Sequence, residues 1–312
     1  MRLLSRLFGR GPGPTGSPAS PSAKVPGPAD QGPVDRQGIF PKTWDERVAL
    51  AVASPDNALI PRVAQAGVVK DGCMTMHNGL LVGIESYYGP ELMRLVARNK
   101  GVHEPQEERV FEEVLAWMKP GASMLELGAY WSFYSMCFAL RVGRDSARCV
   151  MVEPDKANLE HGRRNFDINN LLKPMGDRAA FVNAFVGGAD GAGDGGVPML
   201  TVDTLVRRAG IERLDILHAD IQGAELDMLK GAAGLFERRA VDYVFVSTHS
   251  MDLHAACLAR LEAFDYEIIA QADPKASYSY DGIIVARRRE LTGLGPLAVS
   301  QCPFPRPNFP VP

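Results

Sequence analysis

The sequence of 312 residues lacks several features that mark specialised classes of protein. Its five cysteines are scattered and include no Cys-x-x-Cys pair, so neither a disulfide framework nor a zinc knuckle is indicated. No window approaches 18 uninterrupted apolar residues, which excludes a membrane-spanning helix. The formal net charge is only −3, which does not indicate a general nucleic-acid binder. Cysteines without a disulfide pattern favour the reducing cytoplasm.

What is present is an ordinary globular composition with unusual ends. Residues 1–42 are rich in Pro and Gly and are predicted to be disordered, and residues 291–312 are predicted to be a Pro-rich tail. The first ten residues interleave Leu and Phe with three Arg, which is compatible with a weak peripheral membrane contact or with an unstructured start. Residues 43–104 are predicted to cap a main domain over residues 105–290.

Within residues 105–290, short apolar runs alternate with stretches of helical spacing. This alternation predicts an α/β, Rossmann-like fold whose mostly parallel sheet carries helices on both faces. A helix is predicted from Pro105, and the last two strands are predicted to be an antiparallel pair. The predicted strands are Ser123–Leu127, Cys149–Glu153, Ala179–Val186, Leu214–Asp220, Val241–Thr248, Tyr266–Ala270 and Gly282–Ala286.

Ligands of an open parallel sheet bind at the carboxyl ends of its strands, so the residues after each strand are the candidates for chemistry. A dinucleotide needs a G-x-G-x-x-G loop, yet only Gly128 follows the first strand and Tyr130 stands at the place of the second Gly. S-adenosylmethionine (SAM) carries no phosphate but has a cation and a ribose diol. Glu126 suits the cation and Glu153 the diol.

Each of these assignments has a structural alternative. Glu126 could instead cap the next helix, since a carboxylate is favoured at a helix N-terminus. Asp155 is expected to be a helix N-cap rather than a ligand. Tyr130 could wall the pocket or belong to the aromatic core. The other residues predicted to bind the cofactor are Ser132, Pro154, Asn183 and Ala184.

Four stretches of the chain carry a resemblance. The sequence resembles the FkbM-type SAM-dependent methyltransferases, and this resemblance implies a class I methyltransferase fold with a seven-stranded sheet. It also implies O-methylation of a hydroxyl on a sugar, glycan or polyketide-like acceptor. The family usually has Asn and a second Gly where this chain has Tyr130 and Ser132. It usually has Lys where this chain has His218, and Glu where this chain has Gln222. The stretches are MLELGAYWSFY (124–134), VEPDKANLEHGRRNFDIN (152–169), TVDTL (201–205) and LHADIQGAELDMLKGA (217–232).

The candidate catalytic residues are Asp220, His249 and Glu225. Asp220 or His249 could remove the proton of an acceptor hydroxyl, while the enzyme aligns its oxygen with the methyl carbon. Alternatively, Asp220 could cap the following helix, the backbone could satisfy His249, and Glu225 could simply occupy a favourable first turn. These side chains and His218 could bind a divalent ion, but no spacing requires it, and no metal site is predicted.

The sequence therefore predicts a cytoplasmic SAM-dependent methyltransferase that acts on a small-molecule or glycan acceptor and not on nucleic acid. A non-catalytic binding or scaffold protein with this fold is the alternative, because the four departures from the family pattern lie around the site. An NAD(P)-dependent oxidoreductase is disfavoured by the missing glycines.

Overall fold

The computed structural model describes residues 39–311. The predictions for the first 38 residues, namely a disordered Pro/Gly-rich segment and a basic helix contacting a membrane, lie outside the described residues. None of the helices within residues 39–311 is long and apolar enough to cross a membrane.

The N-terminal region contains two helices and a small antiparallel sheet. Helix α1 begins after Thr43, whose hydroxyl accepts a hydrogen bond from the Glu46 amide, as expected of an N-cap. The sheet order is β1-β2-β3, with antiparallel pairs throughout. The elements are α1 (Trp44–Ala53), β1 (Val69–Lys70), β2 (Cys73–Thr75), β3 (Leu81–Gly83) and α2 (Pro90–Arg98), with 3-10 turns at Pro55–Leu59 and Ile84–Ser86.

The main domain alternates strands and helices, as the sequence predicted. Its helices are α3 (Pro105–Leu115), α4 (Phe133–Val142), α5 (Lys156–Ile168), α6 (Leu172–Met175), α7 (Val202–Ala209), α8 (Glu225–Gly231), α9 (Ala233–Glu237) and α10 (Met251–Ala263). Its strands are β4 (Ser123–Leu127), β5 (Arg148–Val152), β6 (Ala179–Val182), β7 (Phe185–Val186), β8 (Gly191–Ala192), β9 (Pro198–Leu200), β10 (Leu214–Ala219), β11 (Val241–Thr248), β12 (Tyr266–Ala272) and β13 (Gly282–Arg288). Two 3-10 turns lie at Gly176–Arg178 and Asp194–Gly196.

Seven strands form the central sheet in the order β12-β13-β11-β10-β4-β5-β6. The strands from β11 to β6 are parallel, whereas β13 pairs antiparallel with both β11 and β12. The predicted Rossmann-like α/β fold with a mostly parallel seven-stranded sheet is confirmed. The chain leaves β4 for β5 and β6 on one side and returns to β10 and β11 on the other, so the topological switch point lies between β4 and β10.

Helices cover both faces of the sheet, and successive side chains of each strand point to opposite faces. Neighbouring residues of one strand therefore belong to different cores. In β4, Met124 belongs to one apolar core, and Leu125 and Leu127 belong to the other. The first core includes the buried side of α3 and α4 and the apolar residues of the N-terminal region. The second includes α7, α8, α9 and α10. Glu126 therefore points to the same face as Met124, under α4.

The third predicted strand is divided into two strands in the structure. The sequence predicted a continuous strand over 179–186, but the central sheet keeps only Ala179–Val182, and Phe185–Val186 pairs with β9 in a separate small sheet. The Asn183 side-chain amide donates to the carbonyl oxygens of Glu153 (3.0 Å) and Pro154 (2.7 Å). These bonds hold Asn183 against the end of β5, so the chain leaves the ladder there and turns across the sheet edge.

The N-terminal region and the C-terminal tail both pack on the main domain. Asn165 of α5 and Asn169, which caps its C-terminus, accept hydrogen bonds from the backbone amides of Gly83 (3.0 Å) and Leu81 (2.9 Å) in β3, respectively. Asp56 accepts from the Ser300 amide at 3.0 Å, and the Gln106 side chain donates to the Ser300 carbonyl at 2.6 Å. Residues 291–311 contain no helix or strand, yet these bonds attach the tail to the 3-10 turn Pro55–Leu59 and to the start of α3.

Candidate functional site

A cavity of about 320 Å³ opens at the carboxyl ends of β4, β5 and β10, at the switch point of the sheet. Its volume lies within the range of small-molecule sites. Two carboxylates, Glu153 and Asp220, face it among mostly apolar and aromatic neighbours, and no lysine, arginine or histidine of residues 39–311 lines it. The lining residues are Tyr88, Gly128, Tyr130, Val152, Glu153, Pro154, Ala184, Phe185, Val186, Asp220, Ile221, Gln222 and Ala224.

The loop after β4 is bent tightly against β10. Gly128 has φ +69°, and a Cβ at this position would collide with the Asp220 carbonyl oxygen. Gly128 therefore allows the two strand ends to approach each other, and no other residue fits there. Ser132 also has positive φ and is fully buried. A Cβ on Gly162 of α5 would collide with its hydroxyl oxygen, so Ser132 packs against α5, and it does not line the cavity.

Tyr130 and Glu153 hold each other at the cavity wall. The Tyr130 backbone has φ +44°, and its amide donates to Glu153 Oε2 at 3.0 Å. The Tyr130 ring stacks on Tyr88 with 3.9 Å between centroids, and its hydroxyl donates to the Ser86 carbonyl at 2.5 Å. Tyr130 thus provides a flat aromatic wall. Its ring is held in position by these contacts and would keep a pyrophosphate away from the loop.

Glu153 lies at the end of β5 with both oxygens engaged. Oε2 accepts from Tyr130 N, and Oε1 accepts from the Asp155 amide at 3.0 Å. Burial has the largest influence on the pKa of the Glu153 carboxyl group and raises it, whereas the hydrogen bonds from these two amides lower it. Each oxygen keeps a further lone pair that can accept a hydroxyl. Asp155 itself caps α5 by accepting from the amides of Ala157 and Asn158, as the sequence indicated.

The remaining predicted cofactor residues divide between the lining and the layer behind it. Pro154 and Ala184 line the cavity. Asn183 does not; its amide group is used to hold the end of β5. The structure thus gathers Gly128, Tyr130, Glu153, Pro154 and Ala184 around one space and places Ser132 and Asn183 in its support.

Glu126 does not line the cavity. Its side chain is buried under the start of α4, where Oε2 accepts from the Ser135 amide at 3.0 Å. This is the helix-capping alternative that the sequence left open. Burial raises the pKa of Glu126 to about 7, although the charge of His218 and the hydrogen bonds from Ser135 act in the opposite direction. The contact with a cationic cofactor that we predicted for Glu126 therefore has no geometric support.

The buried position of Glu126 predicts a pH-dependent stability. A raised carboxyl pKa means that the folded protein keeps a proton that the unfolded chain, with an ordinary value of 4.5, releases. The stability contribution of Glu126 is therefore largest at low pH and is lost as the pH rises from about 4.5 to about 7. Glu126→Gln cannot ionise, so we expect it to gain about 2 kcal/mol relative to wild type between pH 5 and pH 7.

Urea unfolding at half-unit pH intervals measures this difference. Glu113→Gln is the matched control, because it makes the same change at an exposed position of α3, and its stability should stay within about 0.5 kcal/mol of wild type. A constant difference between Glu126→Gln and wild type would show that Glu126 ionises normally.

The three predicted catalytic residues lie together next to the cavity. His249 follows β11, and its Nε2 lies 3.2 Å from Asp220 Oδ1 while its Nδ1 lies 3.0 Å from Glu225 Oε1. Asp220 does not cap α8: the N-cap is Ala224, and Glu225 itself accepts from the amides of Ile221 and Gly223. The partners of the His249 ring nitrogens are not backbone groups either, since carboxylates face both nitrogens. Asp220 alone of the three lines the cavity.

A fourth member of this cluster, Asp281, was missed by the sequence analysis. Its Oδ1 lies 3.3 Å from His249 Nε2, and its side chain is 9% exposed. Asp281 precedes β13, and because β13 runs antiparallel to β11, Gly282 lies opposite Thr248. The residue before β13 therefore reaches the edge at which β11 ends. The predicted antiparallel final pair could have indicated that Asp281 lies near the end of β11, but only if β13 were also known to pair with β11.

Charge balance couples these groups. Burial alone would lower the pKa of His249, but Asp281, Asp220 and Glu225 together raise it well above its ordinary value. Burial would raise the pKa of Asp220, but the hydrogen bond and charge of His249, together with the neighbouring His218 and His103, lower it. Burial raises the pKa of Asp281 to about 6, in spite of His249. The arrangement therefore favours a cation at the centre of three carboxylates.

A second buried polar group supports the site from α3. Glu107 Oε1 lies 2.6 Å from His218 Nε2, and Oε2 accepts from the Ser247 hydroxyl at 2.9 Å. Next to it, the Tyr134 hydroxyl donates to Glu104 Oε2 at 3.0 Å. His218 thus pairs with α3 rather than with Asp220. Glu107 thus ties α3 to the ends of β10 and β11.

The comparison with protein families agrees with this geometry. Residues 126–268 match the methyltransferase FkbM domain. This stretch runs from β4 to β12 and contains Glu153, Asp220 and His249, and the match confirms the resemblance drawn from the sequence. No curated protein matches the chain.

Several solved structures resemble the chain at low sequence identity. A methyltransferase FkbM from Methylobacillus flagellatus KT is 16% identical, with 65% of this chain and 56% of that chain covered and a TM-score of 0.44. A putative rRNA methylase from Clostridium thermocellum is 10% identical, with 59% and 95% covered and a TM-score of 0.43. A precorrin-6y C5,15-methyltransferase from Geobacter metallireducens GS-15 is 14% identical, with 58% and 88% covered and a TM-score of 0.39.

Proposed function

We propose that the protein transfers a methyl group from SAM to a hydroxyl group of a sugar, glycan or polyketide-like acceptor, and the match of residues 126–268 to the methyltransferase FkbM domain supports this proposal. The observation that carries the choice of cofactor is the charge of the cavity lining. It has two carboxylates and no basic side chain within the described residues. Such a site suits a cationic nucleoside without phosphate and opposes a dinucleotide.

Glu153 would bind the ribose of SAM. Its two oxygens are fixed by backbone amides, and the lone pairs that remain can accept from both ribose hydroxyls. Tyr130 and Tyr88 would provide an aromatic wall for the nucleoside. Ala184 and Pro154 would complete the adenosine side. Gly128 would leave room for the methionine end, next to the carboxylate of Asp220.

Asp220 would serve the acceptor hydroxyl, since it is the one member of the His249 cluster that faces the cavity. In the proposed step, an oxygen of Asp220 takes the hydroxyl proton. The acceptor oxygen forms a bond with the methyl carbon, and the carbon–sulfur bond breaks. Its electron pair stays on the sulfur, which becomes the neutral thioether of S-adenosylhomocysteine. His249 and Glu225 would be positioning residues that keep Asp220 ionised and oriented.

Calorimetry with SAM, S-adenosylhomocysteine and NAD⁺ tests the proposal. We expect the first two to bind and NAD⁺ not to bind, because its pyrophosphate would face two carboxylates without a basic partner. No SAM binding at about 1 mM, which corresponds to a free energy of about −4 kcal/mol, would overturn it. SAM binding without transfer to any of a panel of sugars and polyols would favour a non-catalytic binding protein.

The compartment is a further part of the proposal. We propose the cytoplasm, supported by the five cysteines: all of them are free, and four are buried.

A further inference from the structure

Three side chains beside the cavity bring donor atoms close to one another. Asp220, His249 and Asp281 each offer one donor, and these donors all lie within 4.8 Å of one another. His249 Nε2 lies 3.2 Å from Asp220 Oδ1 and 3.3 Å from Asp281 Oδ1. Neighbouring donors around a divalent ion with bonds of about 2.1 Å are about 3 Å apart. The three donors therefore stand near the spacing of ligands on one ion.

We propose that Asp220, His249 and Asp281 form a binding site for a divalent metal ion of the first transition row. Binding of the ion does not depend on the proposed methyl transfer. Only its role toward the acceptor rests on that function. Three protein donors leave about three positions of an octahedral ion open. Through Asp220, these positions adjoin the cavity, where an acceptor hydroxyl oxygen would bind.

Unsatisfied atoms point to a ligand at this place. Oδ1 of Asp281 and both ring nitrogens of His249 make no hydrogen bond of good geometry with any described residue. The Asp281 side chain is 9% exposed, and a carboxylate oxygen that makes no hydrogen bond at such depth carries a desolvation cost. A metal ion held between the three side chains would bind Oδ1 of Asp281 and Nε2 of His249 and remove that cost.

Glu225 fixes the orientation of the histidine. It is fully buried, and its Oε1 accepts from the amides of Ile221 and Gly223 while lying 3.0 Å from His249 Nδ1. A carboxylate facing one nitrogen of an imidazole while the other faces the ion is the usual arrangement around metal-binding histidines. Glu225 therefore directs Nε2 toward Asp220 and Asp281.

The donor chemistry selects the ion. Two carboxylate oxygens suit Mg²⁺, Ca²⁺ and Mn²⁺, whereas an imidazole nitrogen suits first-row transition metals. Mn²⁺ accepts both donor types, and it is paramagnetic, which makes it the probe of choice.

Electron paramagnetic resonance of Mn²⁺ added to the full chain tests the site. We expect one bound Mn²⁺ per chain in wild type, and an affinity at least about tenfold lower in both Asp281→Asn and His249→Gln. Asp252→Asn is the matched control, because Asp252 is an exposed acid three residues beyond His249. It should bind Mn²⁺ as wild type does.

SAM calorimetry on the same preparations separates this inference from the proposed function. Asp281 does not line the cavity, so a folded Asp281→Asn should keep wild-type SAM affinity while losing Mn²⁺. Absence of bound Mn²⁺ in wild type at about 1 mM metal, or equal Mn²⁺ affinity in wild type and both variants, would overturn the metal site. A wild-type protein that binds Mn²⁺ but not SAM would overturn the proposed function and leave the metal site standing.

Discussion

Asp220→Asn is expected to lower the rate of methyl transfer by about 10²- to 10⁴-fold, the usual contribution of a general base. The amide keeps the shape of the side chain but cannot take the proton of the acceptor hydroxyl. SAM affinity should change by less than about fivefold, because the neighbouring Glu153 contacts remain. Formation of S-adenosylhomocysteine with a panel of sugars and polyols measures the rate, and calorimetry measures the affinity.

The matched control is Asp227→Asn, an exposed acid of α8 whose partner is Lys230 at 2.7 Å. Because an exposed ion pair contributes little, this variant should turn over as wild type does. Full turnover by Asp220→Asn would remove Asp220 as the base. A loss of SAM binding as large as the loss of rate would instead assign Asp220 to the cofactor.

Glu153→Gln should weaken SAM binding by about 10- to 150-fold, the effect of losing a hydrogen bond to a charged group. Oε1 and Oε2 both accept from backbone amides, so a glutamine would turn its NH₂ group toward an N–H donor at Asp155 or Tyr130. The same loss is expected for S-adenosylhomocysteine, because Glu153 would contact the ribose and not the sulfonium. Calorimetry with both compounds measures it.

Glu160→Gln provides the control for this substitution. Glu160 lies on the solvent side of α5, where its only described ion pair is with Arg163 at 3.7 Å, and its replacement should leave SAM affinity unchanged. Thermal unfolding must show that Glu153→Gln remains folded. Wild-type affinity in the folded variant would place the ribose elsewhere, and a loss confined to SAM would place Glu153 near the sulfonium.

The fold was predictable because its information is local in the chain. Ser123–Leu127 is buried at every position, and such short apolar runs between amphipathic stretches indicate parallel strands covered on both sides. The end of the third strand was predicted wrongly for an equally physical reason. Residues 183–186 look like a continuing strand, but the side chain of Asn183 bonds to the end of β5, a contact that no local pattern shows.

The candidate site was predictable to the extent that strand ends converge. Glu153 and Asp220 follow two parallel strands, and the switch point brought both to one cavity. The other two candidate catalytic residues lie beside Asp220, with His249 placed between Asp220 and Glu225. Glu126 also lies near the end of a strand, but it does not reach the cavity. Successive side chains of a strand point to opposite faces, and the side chain of Glu126 points to the face covered by α4.

The sequence by itself determined the α/β alternation, the single-glycine bend at Gly128 and the set of acids that end the strands, because these depend on spacing along the chain. Only the tertiary structure decided which acids share a space. It excluded Glu126 from the cavity, added Asp281 to the His249 cluster and paired His218 with Glu107. Contacts between distant segments depend on strand order and on the face each side chain takes, and neither is written in any one stretch of the sequence.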